Sequence, residues 1–180
     1  VAKIFEILIC NTYYISKDDE DCIYMGKLLM QQESINSILD LHRIIVCFDP
    51  ILLSKQRRLF YKGIIRIISL MYNIQVKGLF EKVVLYYKEN IEKNENNYSD
   101  PVTAKNLLGC IIDMTAICEA IDTQNFYKIF YDKLIKSIII LKNFSKVNIR
   151  ENILIIPILK FFKNLVLNKV ARIPHDSKII

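Results

Sequence analysis

A histidine and a cysteine that lie close together in the chain are the first candidates for chemistry, because a thiolate beside an imidazole can act as a nucleophile. His42 precedes Cys47 by five residues. On one helix this spacing separates the two side chains by more than one turn, and no third group is evident that would orient the imidazole. The second histidine, His175, follows a proline in a terminal loop. A buried structural thiol is therefore favoured over a nucleophile at Cys47.

The residue types that bind metals and cofactors lack the spacing that such sites need. Cys110 and Cys118 lie eight residues apart on an apolar face, and the chain has no C-x-x-C pair. Residues 18–21 are all acidic but lack the glycine and the distal glutamate of a calcium loop, which favours a solvated linker. Phosphate-binding loops and the motifs G-x-S-x-G and H-E-x-x-H are also missing. The sequence thus predicts no catalytic residue, no metal and no cofactor, and a protein that is not an enzyme.

Four cations recur at steps of three, four and four residues, which aligns them along one face of a helix. This basic stripe consists of Lys55, Arg58, Lys62 and Arg66. Such a stripe can bind an acidic protein or phosphates, but a lysine-rich face is more often simply solvated. The net charge of +6 is modest and no aromatic residues interleave with the stripe, so nucleic acid is not favoured as a partner. A protein-binding surface and a solvated face both remain open.

The composition favours a helical fold. Hydrophobic residues fill 52% of the 180 positions, which is enough for a packed core. Four glycines and four prolines are too few for a hairpin-rich β fold or a glycine-loop nucleotide fold. The longest apolar run covers residues 153–159, whereas a helix that spans a bilayer needs about 20 apolar residues. No membrane association is therefore predicted. The five scattered cysteines are typical of reduced thiols in a reducing compartment.

Three helix-start signals recur at similar spacing. The Asp-Pro pairs at 49–50 and 100–101 each place an N-cap carboxylate before a proline at the first helical position. Asn148, with Glu151 three residues later, is a variant of the capping box. The starts lie 51 and 48 residues apart, and each interval contains two amphipathic helical patterns. The sequence therefore predicts repeated pairs of helices.

The apolar positions define the expected boundaries of the predicted helices. One helix is expected over 50–72, and its partner should end before the polar stretch 94–99. A break at 122–123 can cap the partner helix of the second pair, and a third start should give a helix over 148–168 that Pro157 kinks. The residues expected to be buried are Phe60, Ile64, Leu108, Ile112, Phe130 and Leu159.

These patterns predict an all-α chain built as a HEAT-like α-solenoid of stacked antiparallel helix pairs. Residues 1–48 would form a partial repeat with an acidic linker, and 49–99 and 100–147 one helix pair each. Residues 148–180 would form a truncated repeat, which indicates a piece of a longer solenoid. An irregular helical bundle is the alternative.

Four segments, in the same order, resemble one family. Residues 57–66, RRLFYKGIIR, are similar to an Arg-x-x-Phe-Tyr-x-x-Leu-x-Arg segment in the middle of the exportin-seven (Ran-binding protein sixteen) branch of the importin-β superfamily. Residues 105–117 resemble that family's Gly-x-x-x-Asp helix, and 126–130 the aromatic start of its next helix. Residues 157–169 resemble its Pro-Val-Leu-Lys and Leu-Val-x-Asn-Arg run.

The resemblance implies a nuclear transport receptor. Receptors of this kind shuttle between nucleus and cytoplasm through the nuclear pore, where they meet nucleoporins, and they bind protein cargo together with the GTP form of the Ran GTPase. Their main Ran contacts lie in the first repeats, so the resemblance carries over no Ran-contact residue to this chain. The alternative is a generic HEAT or armadillo scaffold in another complex.

Overall fold

The structure, a computed structural model, describes residues 32–70, 74–144 and 153–171. All regular elements in these three ranges are α-helices, and no strand occurs in them. The prediction of an all-α chain is confirmed for this part. In chain order the helices are α1 (Gln32–Val46), α2 (Ser54–Leu70), α3 (Ile74–Lys93), α4 (Pro101–Ala120), α5 (Gln124–Phe144) and α6 (Ile155–Leu167).

The helices pack in two alternating series. In the even series α2 packs on α4 and α4 on α6, and in the odd series α1 packs on α3 and α3 on α5. Further contacts of α3 with α2 and α4, and of α5 with α6, join the two series. The main neighbour of each helix is therefore the helix two positions away along the chain, which brings residues about 50 positions apart into contact.

The start of α4 confirms the predicted cap. The carboxylate of Asp100 accepts the backbone N–H of Thr103 at 2.8 Å, and Pro101 occupies the first turn, where its missing N–H costs nothing. α5 also begins directly after the predicted break, and the carbonyl of Thr123 accepts the N–H of Tyr127 at 3.1 Å. The hydroxyl of Thr123, however, has no hydrogen-bond partner in the described part of the chain.

The start of α2 differs from the prediction. The carboxylate of Asp49 accepts the N–H groups of Ile51 and Leu52, each at 2.9 Å, as a capping residue does. Residues 50–53 nevertheless form a turn, and the helix begins at Ser54 rather than at position 50. The cap therefore closes a separate turn that leads into α2.

The third predicted helix is also shorter than expected. α6 begins at Ile155, so Pro157 lies in its first turn and not in the middle of a helix over 148–168. The expected kink was wrong, because backbone N–H groups of a first turn have no partner within the helix in any case. The capping box at 148–151 lies outside the described residues, as does the acidic linker at 18–21. The division into four repeat units stays a prediction.

Burial follows the predicted apolar stripes with one clear exception. Phe60, Ile64, Leu108 and Phe130 are buried as predicted, and Ile112 is half-buried. Leu159 is 57% exposed, so its predicted burial was wrong. The polar residues Lys160, Lys163 and Asn164 share one side of α6, and Leu159 lies beside that polar side rather than opposite it. Packing selects the face formed by Ile155, Ile158, Phe161 and Leu165.

Candidate functional site

The histidine and the cysteine considered as a nucleophilic pair have other partners. His42 is buried, and its Nδ1 lies 2.9 Å from the hydroxyl of Tyr61. Cys47 is exposed, so the buried thiol expected there was wrong, and its thiol donates to the carbonyl of Arg43 at 3.3 Å. The two side chains therefore do not form the contact that a Cys/His nucleophile requires.

The other cysteines considered as metal ligands are separate buried thiols in the described ranges. Cys110 and Cys118 are buried free thiols, and burial raises the pKa of each to about 12, so both stay protonated near neutral pH. Across residues 32–70, 74–144 and 153–171, no three His, Cys, Asp or Glu side chains come together as metal ligands would. No helix there combines the length and the apolarity needed to cross a membrane.

A buried ion pair joins α2 to α4. Arg57 and Asp113 are almost completely inaccessible to solvent. The Nε of Arg57 donates to one carboxylate oxygen of Asp113 at 3.0 Å, and Nη2 donates to the other at 2.5 Å. This two-point geometry fits the planar guanidinium to the carboxylate and fixes how the two helices align.

The same arginine also forms hydrogen bonds at the C-terminal end of α1. Its Nη1 donates to the carbonyls of the last two helical residues, Ile45 at 3.1 Å and Val46 at 3.0 Å, and to that of Phe48, just beyond the helix, at 2.7 Å. The last carbonyls of a helix lack partners within the helix and carry partial negative charge, so a buried cation stabilises them. One side chain therefore ties together three helices from both series.

Aromatic hydroxyls and His42 extend this ion pair into a larger cluster. The hydroxyl of Tyr87 donates to Asp113 at 3.3 Å, and the rings of Tyr61 and Tyr87 meet edge to face with centroids 5.9 Å apart. The imidazole of His42 also packs edge-on against Tyr86 at 5.0 Å. We name Arg57, Asp113, Tyr61, Tyr87 and His42 the buried polar cluster.

Burial dominates the protonation behaviour of the buried polar cluster. It raises the pKa of Asp113 to about 6, and the hydrogen bonds from Arg57 and Tyr87 limit that rise. Burial, together with the nearby charges of Arg57 and Arg43, lowers the pKa of His42 to about 4. The imidazole is therefore neutral in the folded protein at neutral pH, and its buried Nε2 has no hydrogen-bond partner among the described residues.

The depressed pKa of His42 predicts a specific loss of stability in acid. The unfolded histidine takes up a proton below pH 6.5, whereas the folded one stays neutral down to about pH 4, so stability falls as the pH drops through that window. Between about pH 7 and about pH 5 the wild-type protein should lose about 1–2 kcal/mol more than the variant His42→Asn. Urea unfolding of both proteins at the two pH values measures the difference.

Asp113 titrates in the same range but with the opposite sign, because its folded pKa is raised and the folded state takes up the proton first. Both proteins share this contribution, so it cancels in the comparison. Equal acid sensitivity of the wild type and His42→Asn would show that His42 is not held neutral.

Two side chains of the basic stripe form ion pairs within the chain. Arg58 donates through Nη2 to both carboxylate oxygens of Glu119 on α4, each at 3.1 Å, and Lys62 forms an ion pair with the same carboxylate. Lys55 is exposed and Arg66 is half-buried. Two of the four side chains therefore point toward α4 rather than along an open helix face. Binding of a protein by the stripe stays a prediction.

A groove runs beside these contacts, between helices of the even series. α4 forms its floor, and α2 and α6 form its walls around a volume of about 420 Å³. Glu119 lines the groove and also accepts a hydrogen bond from the side-chain amide of Asn164 on α6 at 2.9 Å. Burial would raise the pKa of Glu119, but the hydrogen bonds from Lys62 and Arg58 outweigh burial and keep that pKa below its usual value.

Sequence reasoning did not find this groove. Its basic side chains on α6, Lys160 and Lys163, lie about a hundred positions from the basic stripe, and α6 was expected to be core. The sequence did carry a signal, because the spacing of Lys160, Lys163 and Asn164 places them on one face of a helix. The buried polar cluster could not be predicted, because Arg57 and Asp113 are 56 residues apart in the sequence.

Comparisons of the chain with protein-family models, with curated proteins and with solved structures found no match in any of the three. Membership of the exportin-seven branch therefore stays a prediction from the sequence resemblance. The function proposed next depends on that resemblance and on the packing of the helices.

Proposed function

We propose that this chain belongs to a HEAT-like α-solenoid that binds other proteins, and that it acts without catalysis in an exportin-like nuclear transport receptor. The observation that carries the proposal is the alternating packing, in which each helix has its main contact two positions along the chain. Helix pairs that stack in this way bury their apolar faces on one another and present a long outer surface to partners.

The transport function has narrower support. Arg57 and Tyr61 come from the first segment that resembles the family, and Gly109 and Asp113 come from the second. In the structure these four residues lie together in or beside the buried polar cluster. A resemblance that rests on residues used in one packing arrangement is more informative than matches scattered over unrelated positions. The proposed partners are Ran, protein cargo and nucleoporins, and the proposed location is the nucleus, the cytoplasm and the nuclear pore.

Nucleotide-dependent binding of Ran tests the transport proposal. The full-length protein that contains this chain should bind Ran carrying a non-hydrolysable GTP analogue at least about tenfold more tightly than Ran carrying GDP, a difference of about 1.4 kcal/mol. Biolayer interferometry with immobilised Ran measures both affinities. Equal affinities, or no binding, would contradict the transport function and favour a HEAT or armadillo scaffold, which uses the same packing without Ran.

A further inference from the structure

The groove over α4 has the features of a binding site for an extended ligand. It is open to solvent along α2 and α6, and its volume of about 420 Å³ lies within the roughly 300–1,000 Å³ of ligand pockets. Ile112 on its floor and Pro157 on its α6 wall are half-buried and offer apolar contact. The groove therefore combines apolar side chains with charged ones.

The charges of the groove are unbalanced. Arg58 projects from α2, Lys160 and Lys163 project from α6, and Glu119 is the single carboxylate among the described residues that line it. Lys160 and Lys163 are exposed, and no carboxylate in the described ranges lies within ion-pair distance of either. Glu119 is already engaged by Arg58, Lys62 and Asn164. Two cations are thus available to a ligand, and a third is held by an internal carboxylate.

We propose that this groove binds an extended acidic segment of a partner protein, with carboxylates on Lys160 and Lys163 and apolar groups on Ile112 and Pro157. The proposal rests on the protein-binding function proposed above, but not on Ran. An acidic polypeptide fits better than a nucleic acid, because the described lining has no aromatic ring on which a base could stack. Its aliphatic groups would also cover the apolar floor, which phosphates would leave bare.

Glu119 acts in this site as an internal competitor. Its carboxylate occupies Arg58 in the position that a carboxylate of the ligand would take. A bound acidic segment must therefore share Arg58 with Glu119 and accept repulsion from it. Removal of this charge should strengthen binding, whereas removal of an ordinary structural ion pair would not.

Fluorescence anisotropy with defined peptides tests the proposal on the full-length protein. The probe is a short fluorescein-labelled peptide rich in Asp and Glu, compared with a peptide that carries Asn and Gln instead, at about 0.15 M ionic strength, where the Debye length is about 8 Å. The double variant Lys160→Glu, Lys163→Glu should weaken binding of the acidic peptide at least about fivefold. The variant Glu119→Gln should strengthen binding severalfold.

The matched control is the double variant Lys82→Glu, Lys128→Glu, which makes the same charge change at exposed positions of the odd series. It should change the Kd less than about twofold, because neither lysine lines the groove and salt screens exposed charges. Circular dichroism verifies that each variant is folded. If the charge-reversal variant of Lys160 and Lys163 is unfolded, the double variant Lys160→Ala, Lys163→Ala is tested in its place.

Three results would overturn the groove as an acidic-peptide site. They are an unchanged Kd in the groove variant, equal weakening in the groove and control variants, and an RNA oligonucleotide of equal charge that binds more tightly and competes with the peptide. The assay contains no Ran, so failure of the groove leaves the Ran test intact. Conversely, loss of nucleotide-dependent Ran binding leaves the peptide result standing.

Discussion

Replacement of Arg57 by alanine is expected to lower the free energy of unfolding by about 3–5 kcal/mol. The change leaves the carboxylate of Asp113 buried without its cation and removes the donor to the last carbonyls of α1. Asp113 has almost no solvent access, so water cannot replace the hydrogen bonds that its carboxylate loses. Chemical denaturation monitored by circular dichroism measures the loss.

The adjacent arginine provides a matched control. Arg58 is half-exposed and pairs with Glu119 at the surface, so Arg58→Ala should cost no more than about 1 kcal/mol. The variant Arg57→Ala, Asp113→Ala should be less destabilised than the sum of its two single variants, because it leaves no unpaired buried charge. Similar losses for Arg57→Ala and Arg58→Ala would show that the buried polar cluster does not hold the helices together.

The variant Gly109→Ala is expected to lower stability by about 1–2 kcal/mol, although alanine is the better helix former. An added Cβ would lie 2.9 Å from Nη2 and 3.3 Å from Cζ of Arg57, and 3.4 Å from Cβ of Pro50. The guanidinium cannot move aside cheaply, because it is held by Asp113 and by the carbonyls of α1. The close approach of α4 to this side chain therefore requires a glycine.

Gly78 is the control for Gly109, and the expected sign is opposite. It also lies inside a helix, α3, but an added Cβ would meet nothing within 4 Å. Gly78→Ala should therefore raise stability by about 0.5–1 kcal/mol through helix propensity alone. Thermal or urea unfolding of the two variants and the wild type measures whether each substitution raises or lowers stability. A stabilised Gly109→Ala would mean that Arg57 can shift without loss.

Local signals in the sequence determined the helices. The carboxylate of Asp100 and the proline after it act within one turn, and the apolar stripes of α3 and α5 keep a helical period over many residues. Such signals need only neighbours along the chain, so they could be interpreted without a structure. The same signal is present in α6, where Lys160, Lys163 and Asn164 mark the polar side, but Leu159 lies at the edge of the apolar stripe and is exposed.

Only the tertiary structure decided which polar residues meet. Arg57 and Arg58 are adjacent and chemically identical, yet one lies in the core on Asp113 and the other lies at the surface on Glu119. Each partner is on α4, more than 50 residues away, and no local pattern links the pairs. The groove arises in the same way, from cations on α2 and α6 that α4 holds apart. Helical periodicity assigns a residue to a face of its own helix, but the packing of that helix on its neighbours decides what the face contacts.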